Sequence, residues 1–341
     1  MTGHGWLTLR RAASVLVVMG LMLTTASPAF AYLKFGFQLG GTEYTLRWTK
    51  TPVMYFVSDI GVPGVTSSQF QGAVASAFKS WEDVPTASIS YTFGGFTRGL
   101  PGEDDGRTTL GFLNEPDLDR VLASTSYIVD GETGELIESD IFFNSAFPWS
   151  VAAAGERGKW DLESIALHEI GHLSGLGHSA IGETELASGG GRRVLSIGAV
   201  MFPIALGSGD ISGRTLLPDD IAGISDLYPD DGFNDTTGSV SGRITRNGSG
   251  VFGAHIVAFD PREGELVGNF SLSRDGQFSI AGLHPGPHVL RVEPLDDAET
   301  TSFFDDADPP EVGFRTTIFE RLVIVPRGGD SGAVQIVVQP K

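Results

Sequence analysis

The chain of 341 residues contains no cysteine. Disulfides, thiolate metal sites and cysteine nucleophiles are therefore excluded. Positive charge is scarce: Lys and Arg number 23 against 42 Asp and Glu, a formal net charge of -19. A protein held on nucleic acid by phosphate contacts needs a basic face, so that class is excluded too. The same balance argues against docking on anionic membranes. After the first 31 residues no apolar run approaches membrane-spanning length. What is plentiful is glycine, 46 residues, about twice its usual share, which favours turns and short strands over helix bundles. A hydrophobic fraction of 41% is enough for real cores. The length suggests about two domains.

Residues 1–31 read as an export leader. Arg10 and Arg11 precede an apolar stretch from Ala12 to Leu23, and small residues end in Ala29-Phe30-Ala31, with cleavage expected after Ala31. Cleavage would remove two of the basic residues and none of the acidic ones. A secreted chain, extracellular or periplasmic, with no membrane insertion after cleavage is expected, as a monomer.

From Tyr32 to Pro229 strands and helices mix. Val53–Val57 reads as a strand; Thr108–Phe112, Val121-Leu122 and Ile141–Phe143 are further candidates. Phe70, Val74, Phe78 and Trp81 recur at helical spacing, predicting a helix over 67–81 capped by Ser67 or Ser68. A second helix is expected over 161–173, with Asp161 as N-cap and Gly175 past its end. A third starts at Pro218, with Asp219 and Asp220 favouring its N-terminal dipole. Residues 230–237 are polar and acidic and read as a linker. Beyond it, from 238 to 341, short alternating segments such as His255–Phe259 and Val289–Val292 separated by turns signal an all-β sandwich.

The chemistry concentrates in His168-Glu169-Ile170-Gly171-His172-Leu173-Ser174-Gly175-Leu176-Gly177-His178. His168 and His172, at i and i+4, leave one face of one helix and can grip one zinc ion. Gly175 tolerates the backbone angles of a sharp exit, so the turn can bring His178 round as a third ligand. Three nitrogens leave the fourth zinc position open for water, the catalytic arrangement. Glu169 stands beside that position as general base, then acid. Three of seven histidines in eleven residues in ligand register is hard to reconcile with ordinary helix and loop positions.

This motif resembles that of the metzincin metallopeptidases, and within them the matrixins. Ala199-Val200-Met201-Phe202-Pro203 is similar to the family's Met-turn, in which Met201 would form an apolar floor under the metal. Pro218–Tyr228 is similar to the closing helix, and Asp161–Ser164, Ala77–Trp81 and Glu138–Asn144 also have a matrixin look. The resemblance covers roughly Leu46 to Tyr228. It implies an α+β metzincin (zincin-like) catalytic domain over 32–229, with a mixed twisted sheet, three helices, and an edge strand that pairs with extended protein or peptide substrate. The segments Gly238–Ile244, Gly253–Asp260, Asp275–Leu283 and Pro285–Leu290 resemble a carboxypeptidase regulatory-like, prealbumin-like domain.

Departures from the family matter. Without cysteine, a cysteine-switch latch is excluded. No histidine lies between Tyr32 and Leu167; Phe142 stands where a structural-zinc ligand is expected, and Ala146 and Phe147 where calcium-binding acids are. One zinc per chain is expected, with Phe142, Phe143 and Phe147 as an apolar staple in its place. Asp104-Asp105-Gly106 and Asp130-Gly131-Glu132 are calcium candidates that read more simply as solvated turns. The stretch Ser179–Ala199, with Gly189-Gly190-Gly191 and Arg192-Arg193, reads as a surface insertion, with a flap beside the cleft as the alternative. His255, His284 and His288 lack ligand register and read as strand or turn residues. The resemblance implies a zinc endopeptidase; the alternative is an adhesion or binding protein using the same domain as a scaffold.

Overall fold

The computed structural model describes residues 15–18, 34–39, 42–118, 120–186, 192–295, 300–304 and 308–341. The expected leader lies outside these residues except for strand β1 (Val15–Val18). Gly189-Gly190-Gly191 also lies outside them.

Next come β2 (Gly36–Leu39), β3 (Thr42–Thr45), β4 (Val53–Ser58), α1 (Ser67–Glu82), β5 (Tyr91–Thr97), β6 (Thr108–Leu113), β7 (Ala123–Asp130) and β8 (Leu136–Asn144). One sheet runs β1-β7-β8-β6-β4-β5. Strands β8, β6, β4 and β5 pair in parallel, whereas β7 runs antiparallel beside β8. Val15–Val18 pair antiparallel with Tyr127–Asp130 on the outer side of β7. The expected strand at Val121-Leu122 begins two residues later, at Ala123.

Helix α1 is capped by Thr66, not by Ser67 or Ser68. Thr66 accepts from the Gln69 amide at 3.3 Å, and the Gln69 side chain answers the Thr66 N–H at 3.0 Å, a capping box. Its buried face, Phe70, Ala73, Val74, Ala77, Phe78 and Trp81, follows the helical period. After the short strands β9 (Trp149–Ser150) and β10 (Trp160–Asp161), α2 (Leu162–Leu173) packs on α1 and on the sheet. Phe70, Phe112, Phe143 and Trp149 form an aromatic cluster beneath these helices, with Phe147 packed against the same core. Phe142 is only half-buried, so Phe143 is the main staple.

The stretch after His178 folds as a hairpin of β11 (Gly182–Leu186) and β12 (Arg192–Ile197). Helix α3 (Pro218–Leu227) follows. Residues 230–237 are not an open tether: Phe233–Thr236 form a helical turn, α4, because Phe233 is 4% exposed and needs apolar cover.

The C-terminal region comprises β13 (Gly238–Arg246), β14 (Ser249–Gly250), β15 (His255–Asp260), β16 (Glu265–Phe270), β17 (Gln277–Leu283), β18 (Gly286–Glu293), the short helix α5 (Thr300–Phe303), β19 (Thr317–Ile318), β20 (Val323–Val325) and β21 (Val334–Val337). One sheet is centred on β13, flanked by β14, β17 and β21; the other carries β16, β15 and β18, with β19 and β20 on β18. The inward residues of both, among them Val240, Ile244, Ile256, Ile280, Leu290 and Ile336, share one core. Among the described residues no helix is long and apolar enough to cross a membrane.

Candidate metal centre

Helix α2 is anchored at both ends. Asp161 accepts from the Ser164 amide at 2.9 Å and is gripped by Arg214 through Nε and Nη2. At the far end Trp48 Nε1 donates to the Leu173 carbonyl at 2.9 Å, Tyr127 to that of His172 at 3.1 Å, and Tyr228 to that of Ser174 at 2.7 Å. These side chains satisfy carbonyls that a helix end leaves unpaired. The helix is thereby held rigid where its histidines project.

His168 and His172 leave the same face, their rings 4.7 Å apart and perpendicular. Gly175 has φ +102, and a Cβ there would overlap the Leu46 carbonyl oxygen, so the sharp exit requires glycine. The turn returns His178 to within 3.2 Å, Nε2 to Nε2, of His172. Ligand atoms of His168, His172 and His178 all lie within 4.8 Å of one another, a group able to hold a metal ion.

The donor chemistry fits a cation. Each Nδ1 faces a backbone carbonyl: Val200 at 2.7 Å for His168, Leu176 at 2.8 Å for His172, and Ser302 at 2.9 Å for His178. Each Nδ1 must therefore carry the proton, which leaves each Nε2 as a lone pair. Burial holds the rings neutral, aided at His168 and His172 by neighbouring histidines; His168 is lowered to about 3. Neutral imidazoles with converging lone pairs repel one another unless a cation sits between them.

Glu169 is 6% exposed, and its Oε2 accepts from the Thr125 hydroxyl at 2.6 Å. Burial raises this carboxyl to about 7, against the opposing Thr125 hydrogen bond. Met201 is 3% exposed beneath the helix. Asp220 holds its turn, accepting from the amides of Val200 at 2.7 Å, Met201 at 3.0 Å and Leu217 at 2.9 Å. The three histidines thus come together, with Glu169 on the same helix and Met201 lining a pocket with His178. Thr125, Asp220 and Gly171 were not singled out for the site. A threonine on a strand or an acid opening a helix carries no local mark of such a contact.

Elsewhere, Asp130 accepts from the amides of Glu132 and Thr133, and Asp105 from that of Arg107, so both calcium candidates are built as turns. His255 faces Glu293, His284 faces Glu265, and His288 faces the Gly286 carbonyl.

Residues 47–188 match the Matrixin peptidase family. This is a matrixin-type metallopeptidase domain. The matrixin match includes α1, the sheet from β4 to β8, α2 and all three histidines. Over 152 residues the chain is 28% identical to matrix metalloproteinase-23 of Homo sapiens, covering 41% of this chain and 37% of that one. It is 26% identical over 204 residues to karilysin of Tannerella forsythia, covering 55% and 35%. It is 30% identical over 196 residues to metalloendoproteinase 2-MMP of Arabidopsis thaliana, covering 55% and 45%. The chain thus spans less than half the length of these relatives.

Proposed function

We propose that the protein is a secreted zinc endopeptidase acting on protein or peptide substrates. His168, His172 and His178 hold one zinc, Glu169 is the general base and acid, and Met201 forms the floor. The observation that carries this reading is the convergence of three Nε2 lone pairs, each enforced by a carbonyl at Nδ1, beside a buried carboxyl. Zinc held by these three histidines would supply Lewis-acid polarisation of the scissile carbonyl and ease the deprotonation of a water at the site. Glu169 takes the proton from the attacking water and returns it to the departing amine nitrogen. A carboxyl held near neutrality by burial suits both transfers. Thr125 keeps it aimed.

Strand β7 provides the edge along which extended substrate lies. The antiparallel pairing of Val15–Val18 with Tyr127–Asp130 supports this, because it shows that the edge accepts a further strand. The two sheets around one core support the prealbumin-like sandwich over 238–341. The leader over 1–31, the catalytic domain over 32–229 and the linker over 230–237 complete the proposed organisation.

The test is metal analysis together with cleavage of a mixed peptide library. One zinc per chain is expected, with cleavage lost on chelation, restored by zinc and absent in Glu169→Ala. Zinc binding without cleavage would favour the scaffold alternative. Cleavage that survives Glu169→Ala would refute the mechanism.

A further inference from the structure

The residues that follow the metal motif are gripped by the C-terminal region. The His178 Nδ1–H donates to the Ser302 carbonyl at 2.9 Å across 124 positions of sequence. The Phe303 ring stands 6.3 Å from the His178 ring, edge-on, and 5.5 Å from Phe270. Phe304 packs on Phe252 and Phe270, and Ala180 joins that cluster from the catalytic side. Ser179 donates through Oγ to Asp219 Oδ2 at 2.5 Å, while the Gly268 amide of β16 donates to Oδ1 at 2.8 Å. The run from His178 to Ala180 is therefore held by the second domain through a carbonyl, an aromatic cluster and a shared carboxylate.

The other two histidines find their carbonyls within the catalytic domain, at Val200 and Leu176. Only His178 depends on the C-terminal region. We propose that residues 300–304 are a clasp that completes the metal centre: the Ser302 carbonyl fixes the tautomer and ring orientation of His178, and Phe303 and Phe304 hold that carbonyl in place. The C-terminal region is then a positioning element for the third ligand, beyond any part it plays in attachment or substrate anchoring. This rests on the zinc reading. A ligand's outer partner sets how well its lone pair is aimed, and losing one weakens metal affinity by about 10- to 100-fold.

The experiment measures zinc affinity of the full chain by competition with a colorimetric chelator, and the visible spectrum of the cobalt-substituted protein. Phe303→Ala and the double variant Phe303→Ala/Phe304→Ala are expected to bind zinc about 10- to 100-fold more weakly and to shift the cobalt band. Ser302→Ala, which keeps the carbonyl, is expected to match the wild type. Ile336→Ala, in the sandwich core and outside the aromatic cluster, serves as the control for a merely loosened fold. The proposal is overturned if both clasp variants stay within about threefold of wild type with an unchanged cobalt band. It is equally overturned if Ile336→Ala weakens zinc and shifts the band as much as Phe303→Ala does. A wild-type chain that binds no zinc, or keeps it in His168→Ala, would instead sink the zinc reading itself.

Discussion

Gly171 and Met201 meet face to face: a Cβ on Gly171 would overlap the Met201 sulfur and lie 2.9 Å from Cζ2 of Trp81. The glycine sits between the two helical histidines, so the floor of the site rises against the bare backbone of α2. Gly171→Ala is expected to overpack this contact and cost about 1–3 kcal/mol in urea unfolding. Met201→Ala is expected to cost about 2–5 kcal/mol through the cavity it leaves. The double variant should cost less than the sum, because the new methyl occupies part of that cavity. Strict additivity would show that the two residues do not press on each other.

Asp220 carries three buried or half-buried amides on one carboxylate. Replacing it by alanine strands those donors. A loss of about 3 kcal/mol or more is expected, since each unsatisfied buried donor costs about 1–3 kcal/mol. Leu162→Val, in the same core but remote from the turn, should be much milder. A loss below about 1 kcal/mol would mean that water reaches the amides.

Thr125 donates to Glu169 through a single hydroxyl. Thr125→Val is expected to lower kcat about tenfold, the equivalent of one modest hydrogen bond, with KM nearly unchanged. Thr125→Ser should restore most of it. Equal activity in the valine and serine variants would remove the positioning role.

Asp140 is 3% exposed and accepts from the amides of Gly102 at 2.5 Å and Thr109 at 2.7 Å. Burial nevertheless raises its carboxyl from 3.8 to about 7. The folded protein therefore binds this proton more tightly than the unfolded chain does, so the group's contribution to stability falls as pH rises from about 4 to 7. Wild type minus Asp140→Asn, measured by urea unfolding across that range, should decline by at least about 1 kcal/mol. Taking the difference cancels the histidines' own titration. A difference that climbs with pH would contradict the assignment.

Zinc is expected to stabilise the fold, because it relieves three facing lone pairs. At free zinc about 100 times the dissociation constant the gain is about 2.7 kcal/mol, read as a raised melting temperature. His178→Ala should abolish most of that shift. An unchanged melting temperature on adding zinc would argue against an ordered metal centre.

The helices were legible because their information is local. The period of Phe70, Val74, Phe78 and Trp81 and the Asp161 cap both recur in the structure. The cap of α1 falls on Thr66, one or two residues before the expected Ser67 or Ser68, because the three side chains are chemically alike and only the reach to Gln69 separates them. The polar stretch at 230–237 concealed a buried Phe233, whose cover comes from distant parts of the chain.

By itself the sequence singled out the three clustered histidines and their neighbour carboxylate. Helical pitch puts His168 and His172 on one face, and a glycine at the exit lets His178 return. These 341 residues also hold no cysteine from which a thiol latch could be built. Only the tertiary structure decided what aims these groups: Thr125 on Glu169, Asp220 under Met201, and the Ser302 carbonyl behind His178. Those partners lie 44, 19 and 124 positions away along the chain. A hydrogen bond across such a gap is set by how sheets and helices pack, not by spacing, so no local pattern records it.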